Sequence, residues 1–357
     1  MIQIFRKNWF VFSLLLLPYT VLTRIWIFFE KPEIPATNLN TTPVYNYIDQ
    51  FLPSDSLFNA LTASFLVFIC AVLLNNIVIK NRIAREINLI PGMLLIFMSS
   101  FHKDTFFVSP ILVSSVILLF GFANIYRTYH RPFAGIYIFN AGFIVGIASL
   151  IYVPHILFTG VLFVALIILR KVDFRDFVQL FTGLIMAFAF WGFASFWFEL
   201  PFYYFEKLPE HFYLTNHLKS YKLNEIIILI ILGLSLLLSV FKYKSFVLKK
   251  SIQSQKKVEL LYYLIAIGFI CMMISPDQFL FHSLFVIYIP LSVFLAMLMN
   301  KVRNEPALEL AHLFILFFII FSHFLFWPDN FVCLKSQNST ARVINFASFF
   351  NEKMLPF

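Results

Sequence analysis

Residues 58–85 read FNALTASFLVFICAVLLNNIVIKNRIAR, an apolar run from Phe58 to Ile79 closed by Lys80, Arg82 and Arg85. A bilayer core of about 30 Å needs roughly 20 apolar residues in a helix, and this run has that length. Lipid offers the backbone no hydrogen-bond partners, so the segment must satisfy its own amides and is read as a helix. Its charged end is cationic, and cationic loops stay on the cytoplasmic side of a membrane. The same unit recurs along the chain. Basic clusters fall at Arg6/Lys7, Lys80/Arg82/Arg85, Arg127/Arg131, Arg170/Lys171/Arg175, six lysines from Lys242 to Lys257, and Lys301/Arg303, together 18 of the 27 lysines and arginines. Long apolar stretches separate them, and the clusters fall on one side once those stretches are read as spans.

Eleven spans follow, at approximately 8–29, 58–79, 88–101, 105–126, 133–152, 156–169, 177–198, 223–241, 258–275, 279–300 and 306–327. The pattern predicts an all-α polytopic membrane protein with a cytoplasmic N-terminus and a periplasmic C-terminus. Residues 1–327 form one helical membrane domain with outer loops 30–57 and 199–222, and 328–357 form a short outer tail. The first run lacks a small-residue cleavage site and is read as an uncleaved span. Spans 88–101 and 156–169 are short, which suits helices buried in the bundle or stopping below the outer surface over a cavity. Small residues at GxxxG spacing in Ala141–Ser149 allow close helix contact. In loop 30–57, Val44, Tyr45, Tyr47, Ile48, Phe51 and Leu52 give one apolar face, suited to a helix lying on the membrane surface.

Composition agrees with this class. With 61% hydrophobic residues, 13% charged residues and 49 phenylalanines, the chain exceeds what a soluble core can bury. Continuous apolar runs without alternation exclude a β-barrel. The net charge of +9 sits at span ends, so it argues for anionic lipid headgroups rather than nucleic acid. Cys70, Cys271 and Cys333 are too few and too scattered for a disulfide frame or a zinc site. No GxxxxGK[ST], GxGxxG, GxSxG or CxxC motif is present, which leaves nucleotide-driven transport, nucleotide redox chemistry and serine hydrolysis without support. Eight histidines scattered singly argue against a membrane di-iron oxygenase. The Glu309/His312 pair on span eleven is read as an intrahelical pair. Asn75, Asn76 and Asn140 are read as interhelical hydrogen-bonding groups.

Chemistry is therefore sought at the outer helix ends, where ionisable groups near membrane depth are costly and default to function. Arg24 lies shortly before the end of the first span, where its guanidinium can snorkel outward or hold a phosphate. His102, Lys103 and Asp104 place a cation and a carboxylate in one tight turn, a set fitted to a lipid phosphate and a proton acceptor. Glu30, Asp49 and His155 complete the candidates.

The stretches Asn88–Phe101, Phe139–Pro154 and Ala165–Arg170 resemble an uncharacterised family of multi-spanning inner-membrane proteins of Gram-negative bacteria, often labelled beta-carotene monooxygenase. The helix with the pattern AGxxxGxAxLxYxP, Ala141–Pro154, after a basic loop, is also similar to the GT-C superfamily of polyprenyl-phosphate-sugar-dependent glycosyltransferases. That resemblance implies a GT-C-like bundle in the bacterial inner membrane that moves a sugar, mannose being the implied one, from a polyprenyl phosphate to an envelope acceptor on the periplasmic face. It implies Asp104, Glu30 or Asp49 as the catalytic base. It places the leaving lipid phosphate on Arg24, Lys103, His102 and His155, with no cofactor and an open question over a divalent metal. Loop 30–57 departs from the GT-C pattern, with dispersed Glu30, Glu33, Asp49 and Asp55 and no adjacent acidic pair. The rival expectation is a non-enzymatic scaffold or lipid carrier for envelope assembly, with a transporter ranked behind it.

Overall fold

The computed structural model describes residues 5, 10–29, 42–52, 56–84, 86–171, 173–199, 223–247, 251–274, 280–302 and 305–325 of the 357. Among them the chain is helical and contains no strand. Among the described residues, four helices are long and apolar enough to cross a membrane: Leu57–Lys80, Phe174–Trp197, Ile252–Ile274 and His282–Met299. Their outer surfaces match that class. Phe174, Phe190, Phe193, Phe196 and Trp197 stand more than half exposed along one helix, an apolar belt far too large for contact with water.

The first predicted span is divided in three: α1 (Phe10–Leu14), α2 (Leu16–Thr23) and α3 (Trp26–Phe29). Pro18 accounts for the first break, since it has no N–H to give the Leu14 carbonyl and its ring crowds that oxygen. The second break falls at Arg24, after Thr20 and Thr23 have turned their hydroxyls back onto the carbonyls of Leu17 and Thr20, at 2.6 and 3.0 Å. Such back-bonding competes with the helix ladder.

In loop 30–57 the predicted surface helix is α4 (Pro43–Asp49). Thr42 caps it, accepting from the Tyr45 amide at 3.2 Å and donating its own hydroxyl to the Ile151 carbonyl at 2.9 Å. Tyr45 is buried while Tyr47 and Phe51 are exposed. Then follow α5 (Ser56–Lys80), α6 (Ile90–Ser99), a 3-10 turn (Lys103–Phe106), α7 (Pro110–Tyr126), α8 (Gly135–Ile151), a second 3-10 turn (Val153–Leu157), α9 (Phe158–Leu169), α10 (Phe174–Trp197), α11 (Leu223–Phe241), α12 (Tyr243–Val247), α13 (Ile252–Ile274), α14 (Leu280–Met299) and α15 (Glu305–Leu325). At the entry to α10, the Asp176 carboxylate pairs with Arg170 at 3.3 Å and accepts from the Asp173 amide. Outer loop 199–222, apart from Glu199, and the tail 328–357 lie outside the described residues.

Short α6 is the centre of the bundle, with all ten of its residues buried against α2, α5 and α14. A helix start buried this deeply needs partners for its free amides. Pro91 removes one of those donors, and Asn75 of α5 answers another. Its side-chain oxygen accepts from the Gly92 amide at 2.7 Å, and its nitrogen donates to the Leu89 carbonyl at 3.3 Å. Gly92 is required here, because any Cβ would overlap the Asn75 amide. Asn75→Leu conserves volume but strands the Gly92 donor, so we expect a loss of about 1–3 kcal/mol. Thermal unfolding in detergent reads this as a lowered apparent Tm, and an unchanged value would mean the bond adds nothing.

Candidate functional site

Arg24 terminates α2, and its side chain does not snorkel outward. It turns into the bundle and is 1% exposed, one of the largest fully buried side chains in the protein. One terminal nitrogen, Nη1, lies 3.5 Å from the Ser64 hydroxyl of α5. The other, Nη2, lies 3.4 Å from both the hydroxyl and the carbonyl of Ser99, at the end of α6. These are long contacts to neutral acceptors, near the limit of useful hydrogen bonding. Phe106 lies against the guanidinium, its ring centroid 5.2 Å from Cζ. The Nε–H has no partner. Among the described side chains no carboxylate stands within ion-pair distance of Arg24. A buried cation held only by hydroxyls and one carbonyl is expensive, and an anion would offset the cost.

The 102–106 turn joins this group. The Thr105 hydroxyl bonds to the same Ser99 carbonyl that Arg24 approaches, and also to the His102 carbonyl at 2.6 Å. His102 is itself buried. Lys103 and Asp104 form the turn's backbone, while their side chains lie outside what the structure describes. The fold thus brings two distant sequence candidates, Arg24 and the His102–Asp104 turn, to one place. The Ser64 and Ser99 hydroxyls form a shell on the guanidinium, while Thr20, Thr23, Ser100 and Thr105 are buried in the adjoining helix ends and turn, and Ser100 donates to Thr23 at 3.0 Å.

The remaining candidates are placed otherwise. Glu30, Glu33 and Asp55 lie outside the described residues. Asp49 is exposed at the end of α4. Beside it, burial pushes the Tyr45 phenol above its ordinary pKa, and the Asp49 carboxylate adds to the rise. Tyr45 therefore stays protonated and donates to the Val108 carbonyl at 3.3 Å. His155 belongs to the second 3-10 turn, fully buried, with the rings of Tyr152 and Phe158 edge-on at 4.9 and 5.5 Å. Both of its ring nitrogens lack partners, and no contact among the described residues joins it to Arg24.

Two features escaped the sequence reading. The hydroxyl shell had a visible signal, Thr20, Thr23 and Arg24 sharing a helix end with Ser99 and Ser100 at another. The partner of His312 had none: it is Tyr19, 293 residues away, at 2.6 Å, and the two rings stack at 5.9 Å. That bond ties α15 to α2. Among the described residues no group of three or more histidines, cysteines or acids could hold a metal ion. No family model, curated protein or solved structure matches this chain.

Proposed function

We propose that this is a bacterial inner-membrane protein of GT-C type that binds a polyprenyl phosphate at Arg24 and transfers its sugar to an envelope acceptor on the periplasmic face. In this reading the four long apolar helices and the seven shorter ones, Val11–Thr23, Ile90–Ser99, Pro110–Tyr126, Gly135–Ile151, Val153–Leu169, Ile226–Phe241 and Pro306–Ile320, are eleven crossings. The basic clusters then face the cytoplasm, and the C-terminus lies outside.

The observation that carries the proposal is the Arg24 guanidinium, buried without a described counter-ion and with its Nε–H edge unused. That edge, with Nη2, forms the planar fork that takes two phosphate oxygens. Lys103 adds a second cation as the sugar leaves and charge collects on the phosphate. Asp104, one residue on, takes the proton of the acceptor hydroxyl. Arg24 is sealed in this structure, so entry requires a neighbouring segment to move. The single turn Lys103–Phe106, between α6 and α7, is the smallest candidate.

The test uses purified full-length protein in lipid, radiolabelled polyprenyl-phosphate mannose and a membrane extract of acceptors. Transfer is expected in the unaltered protein, with a loss of at least ~100-fold on Asp104→Asn, the usual worth of a general base. Lys103→Ala should lose comparable activity at normal protein levels. If both variants transfer at the full rate, the site is wrongly placed. If donor binds and no sugar moves, the same Arg24 pocket belongs to a lipid carrier.

A further inference from the structure

A second charged site lies at the other end of α5, about 25 Å along the helix from Ser64 at 1.5 Å per residue. There α5, α7 and α13 enclose a cavity of about 400 Å³, within the usual range of ligand pockets. Lys80, Arg127, Arg131 and Lys257 line it, and among the described residues no carboxylate does. Four cations around one cavity repel one another, so the arrangement calls for an anion.

Three of these cations are exposed, as surface charges ordinarily are, but Lys257 is only 3% exposed. Its ammonium donates to the side-chain oxygen of Asn81 at 2.9 Å and lies 5.7 Å from the centroid of the Tyr129 ring. Asn81 is held in turn, since its nitrogen donates to the Ile77 carbonyl at 2.9 Å and so aims its oxygen at Lys257. The backbone around the pair is anchored too. After α5 the chain turns with Arg82 at φ 50°, and the amides of Arg82 and Ile83 close onto the carbonyls of Ile79 and Val78. The Ser254 hydroxyl of α13 then bonds to the Arg82 carbonyl at 2.9 Å. Opposite, Arg131 donates to the Tyr137 hydroxyl at 2.8 Å, and both Arg131 and Arg127 lie over the Tyr137 ring. Lys257, Arg131 and Arg127 are therefore positioned before any ligand arrives.

The remaining wall is apolar and open on one side: Leu73, Leu119 and Phe120 line the cavity, and Phe120 is 46% exposed. An occupant with an anionic head and an apolar tail satisfies both halves. We propose that this cavity binds a phosphate-bearing headgroup of net negative charge, with Lys257 as its buried anchor and Lys80, Arg127 and Arg131 as its rim. The proposal is independent of the Arg24 site.

The test is native mass spectrometry of the delipidated full-length protein, titrated separately with phosphatidylglycerol and phosphatidylcholine, with inorganic pyrophosphate then added to the lipid-bound protein. Phosphatidylglycerol is expected to bind at least ~10-fold more tightly than phosphatidylcholine, the worth of one charge-assisted contact. Lys257→Gln should remove that preference, and so should Arg127→Gln with Arg131→Gln. Arg175→Gln, an exposed cation outside the cavity, should leave it intact, which separates a built site from a merely basic face. If Lys257→Gln does not fold, the double variant, whose changes are exposed, decides. Displacement of the lipid by pyrophosphate would identify a site that also takes free phosphates, whereas persistence of the lipid would identify a headgroup site. Equal binding of the two lipids would overturn the proposal. So would an unchanged preference in the variants, or loss of preference in Arg175→Gln as well.

Discussion

Gly142→Leu is expected to prevent the bundle from assembling, whereas Gly160→Ala should be tolerated. The difference lies in what a side chain would meet. At Gly142 a Cβ would overlap the Leu180 carbonyl, and at Gly183 it would overlap the Phe139 carbonyl. At Gly146 it would lie 2.5 Å from the Ala187 methyl. These three glycines form the seam between α8 and α10, where backbone meets backbone and no flexible side chain can give way. In lipid such close packing is a principal source of helix association. Even Gly142→Ala should cost about 1–3 kcal/mol, the range for overpacking a filled core, and leucine more. At Gly160 nothing lies within 4 Å of an added Cβ, and the better helix propensity of alanine makes the change neutral or favourable. Size-exclusion profiles of fluorescently tagged variants check this: Gly142→Leu should aggregate and Gly160→Ala should run as the unaltered protein. A monodisperse Gly142→Leu would mean that the seam is looser than it looks.

Arg24→Met should make the protein more stable and functionless. Methionine keeps much of the volume and removes a buried charge whose described partners are all neutral. Replacing buried charges with well-packed apolar groups is often stabilising by about 1–4 kcal/mol. The apparent Tm of delipidated Arg24→Met should therefore rise. Added polyprenyl phosphate should raise the Tm of the native protein, since a ligand that binds only the folded state stabilises it, and should leave the variant unmoved. The opposite result is equally legible. A fall of the size seen when one member of a buried ion pair is removed, about 3–5 kcal/mol, would make Arg24 half of a structural pair instead of a ligand site.

The class of fold could be read from the chain because lipid imposes simple rules of length and apolarity. The GxxxG spacing of Gly142 and Gly146 announced a close contact, but not that α10 would supply it through Gly183 and Ala187. Those partners lie some 40 residues along and carry no matching pattern. That α6 would be short was legible, though it runs ten residues within the expected 88–101, and its complete burial is one of the two arrangements such a length suits. Hydropathy concealed the breaks in the first span, since it counts Pro18 and Thr23 as minor interruptions in an apolar run. The direction of Arg24 was beyond the sequence, because a guanidinium one turn from a helix end can reach out or in with the same neighbours. Lys257 was harder still. It is one of six lysines in a basic stretch that reads as uniformly solvated, and it is buried where α13 meets the turn after α5, Lys257 bonding to Asn81 and Ser254 to the Arg82 carbonyl.

The most direct measurement is the lipid that accompanies the protein. Full-length protein and Arg24→Gln, purified from the same membranes, should be extracted and their polyprenyl phosphate quantified by mass spectrometry. Near-stoichiometric polyprenyl phosphate with the native protein, and at least ~10-fold less with a folded Arg24→Gln, is the predicted result, since a bidentate phosphate contact is worth more than a factor of ten. Equal amounts in the two, or none in either, would contradict the assignment of Arg24 as the phosphate site.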